Sequence, residues 1–251
     1  MLGNAHIAVV VPAYNEALLI AFTLRNIPSY VDRVLVIDDG SLDDTAEIAV
    51  SVGDPRVQVV RHASNRGVGA ALATGYTLAL QLGADVVAVM AGDGQMHPDD
   101  LPQLLWPVVK GEVDYAKGDR LSHPSAHKHM PRSRFIGNHV LSMFTRLCTG
   151  SALRDSQCGY TALSRRALER LPLGGLWPGY GYPNDLIGRL CLSGASVRDV
   201  VVRPIYGSEQ SGIRLRHALF VIPWVLLRVL WRRIESARAL PMSISVGAEG
   251  E

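Results

Sequence analysis

The chain has 251 residues, 48% of them hydrophobic, which suits one large domain, or one domain with a small appendage, around a sizeable core. Its cysteines, Cys148, Cys158 and Cys191, are widely spaced with no C-x-x-C pair, so neither a disulfide framework nor a structural zinc site is indicated and a reducing, cytoplasmic setting is expected. Net charge is +2, but residues 1–100 carry 5 Lys and Arg against 12 Asp and Glu, and the remainder 20 against 11, leaving halves of about −7 and +9.

The basic half suits an anionic partner. No zinc-finger spacing, aromatic RNP-like strand or basic zipper accompanies it, which argues against nucleic acid and leaves phosphates or a membrane surface. The N-terminus lacks the basic, apolar and small-residue regions of a secretion signal, which argues against export.

In chain order, His6 to Val11 predicts a strand broken by PAYNEA at 12–17, and a helical pattern follows to about Pro28. Arg33 to Ile37 predicts a second strand, closed by Asp38-Asp39-Gly40-Ser41. Ser41 and Asp44 then resemble a capping box for a helix over Asp43 to Ser51. Val57 to Arg61 predicts a third strand, Gly67 to Leu82 a helix, and Val86 to Met90 a fourth strand. This βαβα alternation argues for an α/β fold with a mostly parallel, twisted sheet flanked by helices.

The fourth strand ends in MAGDGQMHPDD at 90–100, where an apolar run changes abruptly to acidic and polar residues and Gly92 and Gly94 permit tight turns around Asp93. Open α/β sheets bind ligands beyond the carboxyl ends of their strands, and a hard divalent cation there would take Asp93, waters and phosphate oxygens. The alternative is an acidic turn leading into a helix at Pro98. NRGVGAAL at 65–72 has G-x-G after a strand, but Leu72 stands at the third glycine position of the dinucleotide fingerprint, and no P-loop occurs.

VVVPAYNE at 9–16, VIDDGSLDDT at 36–45, NRGVGAAL at 65–72, MAGDGQMHPDDL at 90–101 and KGDRL at 117–121 occur in the order that resembles the family 2 glycosyltransferases, particularly the branch of dolichyl-phosphate mannose synthase and related polyprenyl-phosphate enzymes. DSQCGYTALSRRAL at 155–168 and GYGYPNDLIGRL at 179–190 resemble the acceptor-side portion of that branch. The resemblance implies a nucleotide-diphospho-sugar transferase fold over 1–212, with a nucleotide-sugar half at 1–121 and an acceptor half at 122–212. It further implies that Pro12, Ala13, Tyr14, Glu16, Asp39, Gly67, Gly92 and Asp93 surround a nucleotide-diphosphate sugar. Tyr14 would offer its ring to the base, Glu16 would accept from ribose hydroxyls and Asp39 would take the base N–H. Asp38 would fix the turn, and the alternative is that both aspartates only cap a helix.

Asp93 matches the last Asp of the family's D-x-D metal motif, with Gln95 where some relatives place another ligand for Mg²⁺ or Mn²⁺. Ala91 replaces the first Asp. Arg120 would sit by the donor diphosphate, the alternative being a surface ion pair with Asp119. Asp185, in Pro183-Asn184-Asp185 where similar proteins have Glu-Asn-Asp, would be the acceptor-side base, the alternative being a residue that caps or solubilises a helix starting near Pro183. A lipid phosphate acceptor would need no base, since a phosphate monoester is already largely ionised.

His123 to Arg134 is expected to be a solvated, mobile loop, the alternative being a donor-rich loop that closes over donor or acceptor phosphates, with no third metal ligand beside His127 and His129. Over 213–238 an apolar and basic helix is expected. It is interrupted by Pro223 and by Arg228, Arg232 and Arg233 before it reaches the ~20 residues of a bilayer span. With Trp224 and Trp231 it suits the inner face of a membrane, the alternative being packing on the domain or on a second copy in a homo-oligomer. The tail over 239–251 is expected to be flexible.

The resulting expectation is an inverting glycosyltransferase moving a sugar from a UDP- or GDP-sugar to a polyprenyl phosphate. A soluble small-molecule acceptor is the alternative, and Ala91 and Pro183 motivate a further one, a sugar-nucleotide-binding protein without turnover.

Overall fold

A computed structural model describes residues 2–206 and 220–239. Four strands alternate with helices through the first part of the chain: β1 Ile7–Ala13, α1 Ile20–Arg25, β2 Arg33–Asp38, α2 Thr45–Ser51, β3 Val57–Arg61, α3 Val68–Gln81 and β4 Val86–Val89. A 3₁₀ turn at Pro98–Asp100 runs into α4 Leu101–Val109 and then β5 Tyr115–Asp119. The rest comprises α5 Ala126–His129, α6 Arg132–Thr149, β6 Thr161–Ser164, α7 Arg165–Glu169, α8 Tyr182–Leu192, β7 Val197–Val201 and α9 Ile222–Ala239. The remainder of the tail expected over 239–251, and the start of the apolar and basic stretch at 213–219, lie outside the described residues.

All seven strands form one sheet in the order β3-β2-β1-β4-β6-β5-β7. Only β6 is antiparallel to its neighbours, β4 and β5. Two antiparallel pairings in series restore the direction, so β5 ends on the same edge as β1, β2 and β4. The β-branched strands alternate their side chains between two apolar layers. Ile7, Val9 and Val11 of β1 face a core shared with Ile20, Leu24 and Leu104, whereas Ala8 and Val10 face one shared with Leu72, Tyr76 and Ile187. Each large apolar side chain buried this way contributes roughly 1.5–3 kcal/mol. Gly75 draws α3 close to β1, since a Cβ there would fall 2.3 Å from Val10 Cγ1.

Two local expectations are corrected. The capping box does not form, because Ser41 gives its backbone N–H and its hydroxyl to Asp38, and Asp44 makes no side-chain cap on α2. The stretch from His123 to Arg134 is not a loop throughout. It holds α5 and the first turn of α6, with His123 Nδ1 2.9 Å from Ser125 Oγ and Ala126 and Met130 buried.

Candidate active site

Parallel pairing of β1 with β2 and β4 brings three strand ends to one edge of the sheet. The loop after β1 turns through Asn15, whose φ of 56° is tolerated because Asn populates the left-handed region more readily than most residues. Asn15 Oδ1 accepts the Leu42 N–H at 2.8 Å and the Asn15 N–H donates to Ser41 Oγ at 2.9 Å. The Glu16 N–H donates to Thr45 Oγ1 at 2.8 Å and the Ala17 N–H to Asp43 Oδ2 at 3.2 Å. Four hydrogen bonds therefore weld the loop after β1 to the loop after β2.

Within that second loop Asp38 fixes the turn, accepting the Ser41 N–H at 3.0 Å. Arg61 Nε lies 3.1 Å from Asp38 Oδ2 without lining up as a hydrogen bond. Asp39 reaches the other way. Its Oδ1 accepts the Arg66 N–H at 3.0 Å and meets His62 Nδ1 at 2.7 Å, and its Oδ2 accepts the Gly67 N–H at 2.7 Å. Both aspartates are buried, and neither caps α2 with its side chain.

Gly67, with φ 93°, and Gly69 play a role that sequence reasoning missed. A Cβ on Gly67 would strike the Pro178 carbonyl and one on Gly69 the Trp177 carbonyl, and Pro178 O accepts the Gly69 N–H at 2.6 Å. The G-x-G thus admits the 177–179 segment to the start of α3.

The turn after β4 lies against the loop after β1. The Gly92 N–H donates to Pro12 O at 3.2 Å, and a Cβ on Gly92 would come within 3.6 Å of Ala13, Glu16 and Ile20. Asp93 Oδ1 accepts the Gln95 N–H at 3.0 Å across Gly94, whose φ is 69°. Pro12, Ala13, Glu16, Gly92, Asp93 and Gln95 thus form one neighbourhood, with Tyr14 half-exposed on the same loop. Burial raises the Tyr182 phenol, with Cys158 and the Asp93 carboxylate adding to the effect, which brings the start of α8 within reach of this turn.

Two strand spacings along the sheet, about 10 Å, β5 delivers Arg120. Its partner is Asp155, not Asp119: Nε and a terminal nitrogen meet the two carboxylate oxygens at 2.8 and 3.1 Å. Burial opposes charge on both groups, yet each outweighs it for the other, so the Arg120 guanidinium is held well above its usual range and the Asp155 carboxyl below it. Beneath them the buried Lys117 donates to Cys158 O, and burial lowers its pKa. Arg134 stacks over Tyr206, 5.4 Å from the ring centroid, and the Arg120 charge reaches the same phenol. Asp155, Arg134 and Tyr206 were not singled out from the sequence, because nothing local ties residues so far apart in the chain to Arg120.

Asp185 lies in the first turn of α8. It is fully buried: Oδ2 accepts the Trp177 N–H at 3.0 Å and Arg189 Nε at 2.7 Å, and Oδ1 accepts from Arg232 of α9 at 3.0 Å. Burial excludes the solubilising role.

Residues 8–171 match the pattern of Glycosyl transferase family 2. The chain belongs to that family. It is therefore a glycosyltransferase. Among its relatives are the UDP-N-acetylglucosamine–dolichyl-phosphate N-acetylglucosaminyltransferase of Methanococcus voltae, 33% identical over 66% of this chain and 72% of that one, and the polyprenol monophosphomannose synthase of Mycolicibacterium smegmatis, 32% identical over 85% and 84%. The fold is that of the nucleotide-diphospho-sugar transferases. Glucosyl-3-phosphoglycerate synthase from Mycobacterium tuberculosis, solved with uridine diphosphate, superposes with a TM-score of 0.71 at 24% identity over 91% of this chain and 81% of that one. The same enzyme has also been solved with Mn²⁺ and with Mg²⁺.

No group of three His, Cys, Asp or Glu side chains able to hold a metal ion occurs among the described residues. Asp93 and Gln95 supply hard oxygen donors in a turn that glycine shapes. Such a set fits a Mg²⁺ or Mn²⁺ ion shared with a substrate diphosphate and not one held by the protein alone.

Proposed function

We propose that this glycosyltransferase moves a sugar with inversion from a UDP- or GDP-sugar to a polyprenyl phosphate, with Mg²⁺ or Mn²⁺ at Asp93 and Gln95. The observation that carries the lipid acceptor is the outer surface of α6 and α9. These two helices pack together, yet Ile136, Phe144 and Leu147 of α6 and Trp224, Leu227 and Trp231 of α9 stay exposed, Leu147 at 65% and Trp231 at 63%. Arg132, Arg146, Arg228 and Arg238 lie on the same two helices. Apolar stripes with tryptophan and arginine suit an anionic bilayer surface, where such an acceptor is dissolved. No described helix is long and apolar enough to cross a membrane. The names of the relatives support the same acceptor class.

In this reading the loops after β1 and β2 take the nucleotide: Tyr14 covers the base, Asp39 accepts its N–H and Glu16 accepts from the ribose. The bound ion would supply charge neutralisation for the departing diphosphate. Arg120, set by Asp155, adds cationic charge for the same diphosphate, and Arg134 adds cationic charge on the acceptor side. A lipid phosphate oxygen, already ionised, attacks the anomeric carbon as the bond to the nucleoside diphosphate breaks, and the diphosphate leaves with the electron pair. No protein base is then required. Asp185, held by two arginines, serves as the clamp between α8 and α9.

Transfer from UDP- and GDP-sugars, with and without Mg²⁺ or Mn²⁺, tests the reading, with polyprenyl phosphate in anionic liposomes compared against short soluble phosphates and alcohols. Metal-dependent transfer that favours the lipid is expected, and Asp93→Asn, which removes charge and little volume, should abolish the metal response while the fold is kept. Transfer to soluble acceptors alone would replace the lipid, and nucleotide binding without turnover would leave a binder. Wild-type metal response in Asp93→Asn would remove Asp93 from the site.

A further inference from the structure

The donor half contains a buried imidazole that the proposed reaction does not use. His62 follows β3 directly, and its backbone N–H donates to Asp38 O at 2.8 Å. Its ring is almost fully enclosed, with Nδ1 2.7 Å from Asp39 Oδ1 and Nε2 3.0 Å from Thr74 Oγ1 on α3. The Asp39 N–H in turn donates to Ala13 O at 2.9 Å. A line of contacts therefore runs from α3 through Thr74, His62 and Asp39 to the end of β1.

A carboxylate offers about four acceptor positions, two on each oxygen. His62 and the Arg66 N–H fill those of Asp39 Oδ1, and the Gly67 N–H fills one on Oδ2. One position remains, on Oδ2. Which way it faces depends on the rotation of the carboxylate, and of the three donors only His62 is a side chain, itself held by a hydroxyl on a long helix. We propose that His62 is a positioning residue of the donor site: by holding Asp39 Oδ1 it aims the last acceptor position of Oδ2 at the N–H of the nucleotide base. This rests on the nucleotide-sugar reading above.

The test is a double-mutant cycle on the full chain, with UDP and GDP titrated calorimetrically in the presence of Mg²⁺. His62→Leu removes both ring contacts, and His62→Asn puts an amide nitrogen near the place of Nδ1. Expected are about tenfold or greater weakening of the preferred nucleotide in His62→Leu, recovery to within about threefold in His62→Asn, and less than about twofold effect of His62→Leu in an Asp39→Ala background. In transfer assays donor KM should rise while kcat at saturating donor holds. Unchanged affinity in a folded His62→Leu protein overturns the proposal. So does the same loss in both Asp39 backgrounds, or failure of His62→Asn to recover, either of which would make His62 a packing residue. A wild-type protein that binds neither nucleotide defeats the donor reading itself, and shows it before any variant is compared.

Discussion

Asp199 shows how a single half-buried side chain ties local electrostatics to stability. Burial raises its carboxyl first, the Arg154 N–H donating at 2.9 Å opposes this, and the neighbouring Asp119 raises it again, to about 6. Its Oδ1 is buried without a hydrogen-bond partner. The folded pKa lies above the unfolded value of about 3.9, so the folded state binds the extra proton between about pH 4 and 6. The cost of the charge is absent below that window and complete above it. Asp199→Asn, which imitates the protonated form, should therefore raise Tm at pH 7.5, with the advantage fading to nothing near pH 4. A difference that stays constant with pH, or none at pH 7.5, would show that this carboxylate carries no such cost. Residue-level legibility followed the same divide between local and distant partners. Asp38, Asp39 and Asp93 were readable because each ends an apolar run. The partner of Arg120 was not, since the adjacent Asp119 satisfied the local pattern while the fold supplied Asp155. Ser41 met the capping pattern too, but Asp38 took its hydroxyl.

Among the elements, α8 and α9 depart most from what their sequences suggest alone. Composition marked α9 as apolar, basic and interfacial. The structure shows that it also has a packed side, with Ile222, Val225 and Val229 buried, and that Gly188 of α8 makes room for it, since a Cβ there would lie 2.4 Å from Val229 Cγ1. The alternative of packing on the domain thus holds for one face, and the proposed membrane contact concerns the exposed one. Asp185 joins the pair through Arg189 and Arg232, and this separates a clamp from a base. Removing one partner of a buried ion pair costs roughly 3–5 kcal/mol because the remaining charges lose compensation. Asp185→Asn should accordingly lower the unfolding free energy obtained from urea titration by an amount of that order, while the folded enzyme keeps most of its kcat on a polyprenyl phosphate. Had Asp185 been the base for an alcohol, kcat would fall about 10²- to 10⁴-fold with stability little changed. Urea unfolding and steady-state rates measured on one preparation decide between the two.

At the scale of the whole molecule, the first half was legible and the second was not, for a physical reason. Strands β1, β2 and β4 are short apolar runs between turn signals, and the alternation with helices implies parallel pairing. By contrast β5 reads Tyr-Ala-Lys-Gly-Asp, β6 has four residues, and β7 is an edge strand carrying Arg198 and Asp199, so none shows an apolar period. They become strands because β4 offers β6 a free edge and β6 offers the next to β5. This pairing also bears on the expected division into a donor half and an acceptor half. The β4–β6 ladder crosses the division, and Tyr160, Ala162 and Val202 share a core cluster with Val9, Ile20 and Leu104. Neither half can open without exposing apolar surface of the other, so we expect one cooperative transition in urea. Far-UV circular dichroism should trace the same midpoint as tryptophan fluorescence, which samples Trp106 in α4 and Trp177, Trp224 and Trp231 in the later part of the chain. A saturating nucleotide should move both curves together, by about 2.7 kcal/mol at 100 times its Kd, although in the proposed reading its base and ribose meet only the loops of the first half. Two separated transitions, or a nucleotide shift confined to one probe, would mean that the halves are independent domains and that the shared sheet does not couple them.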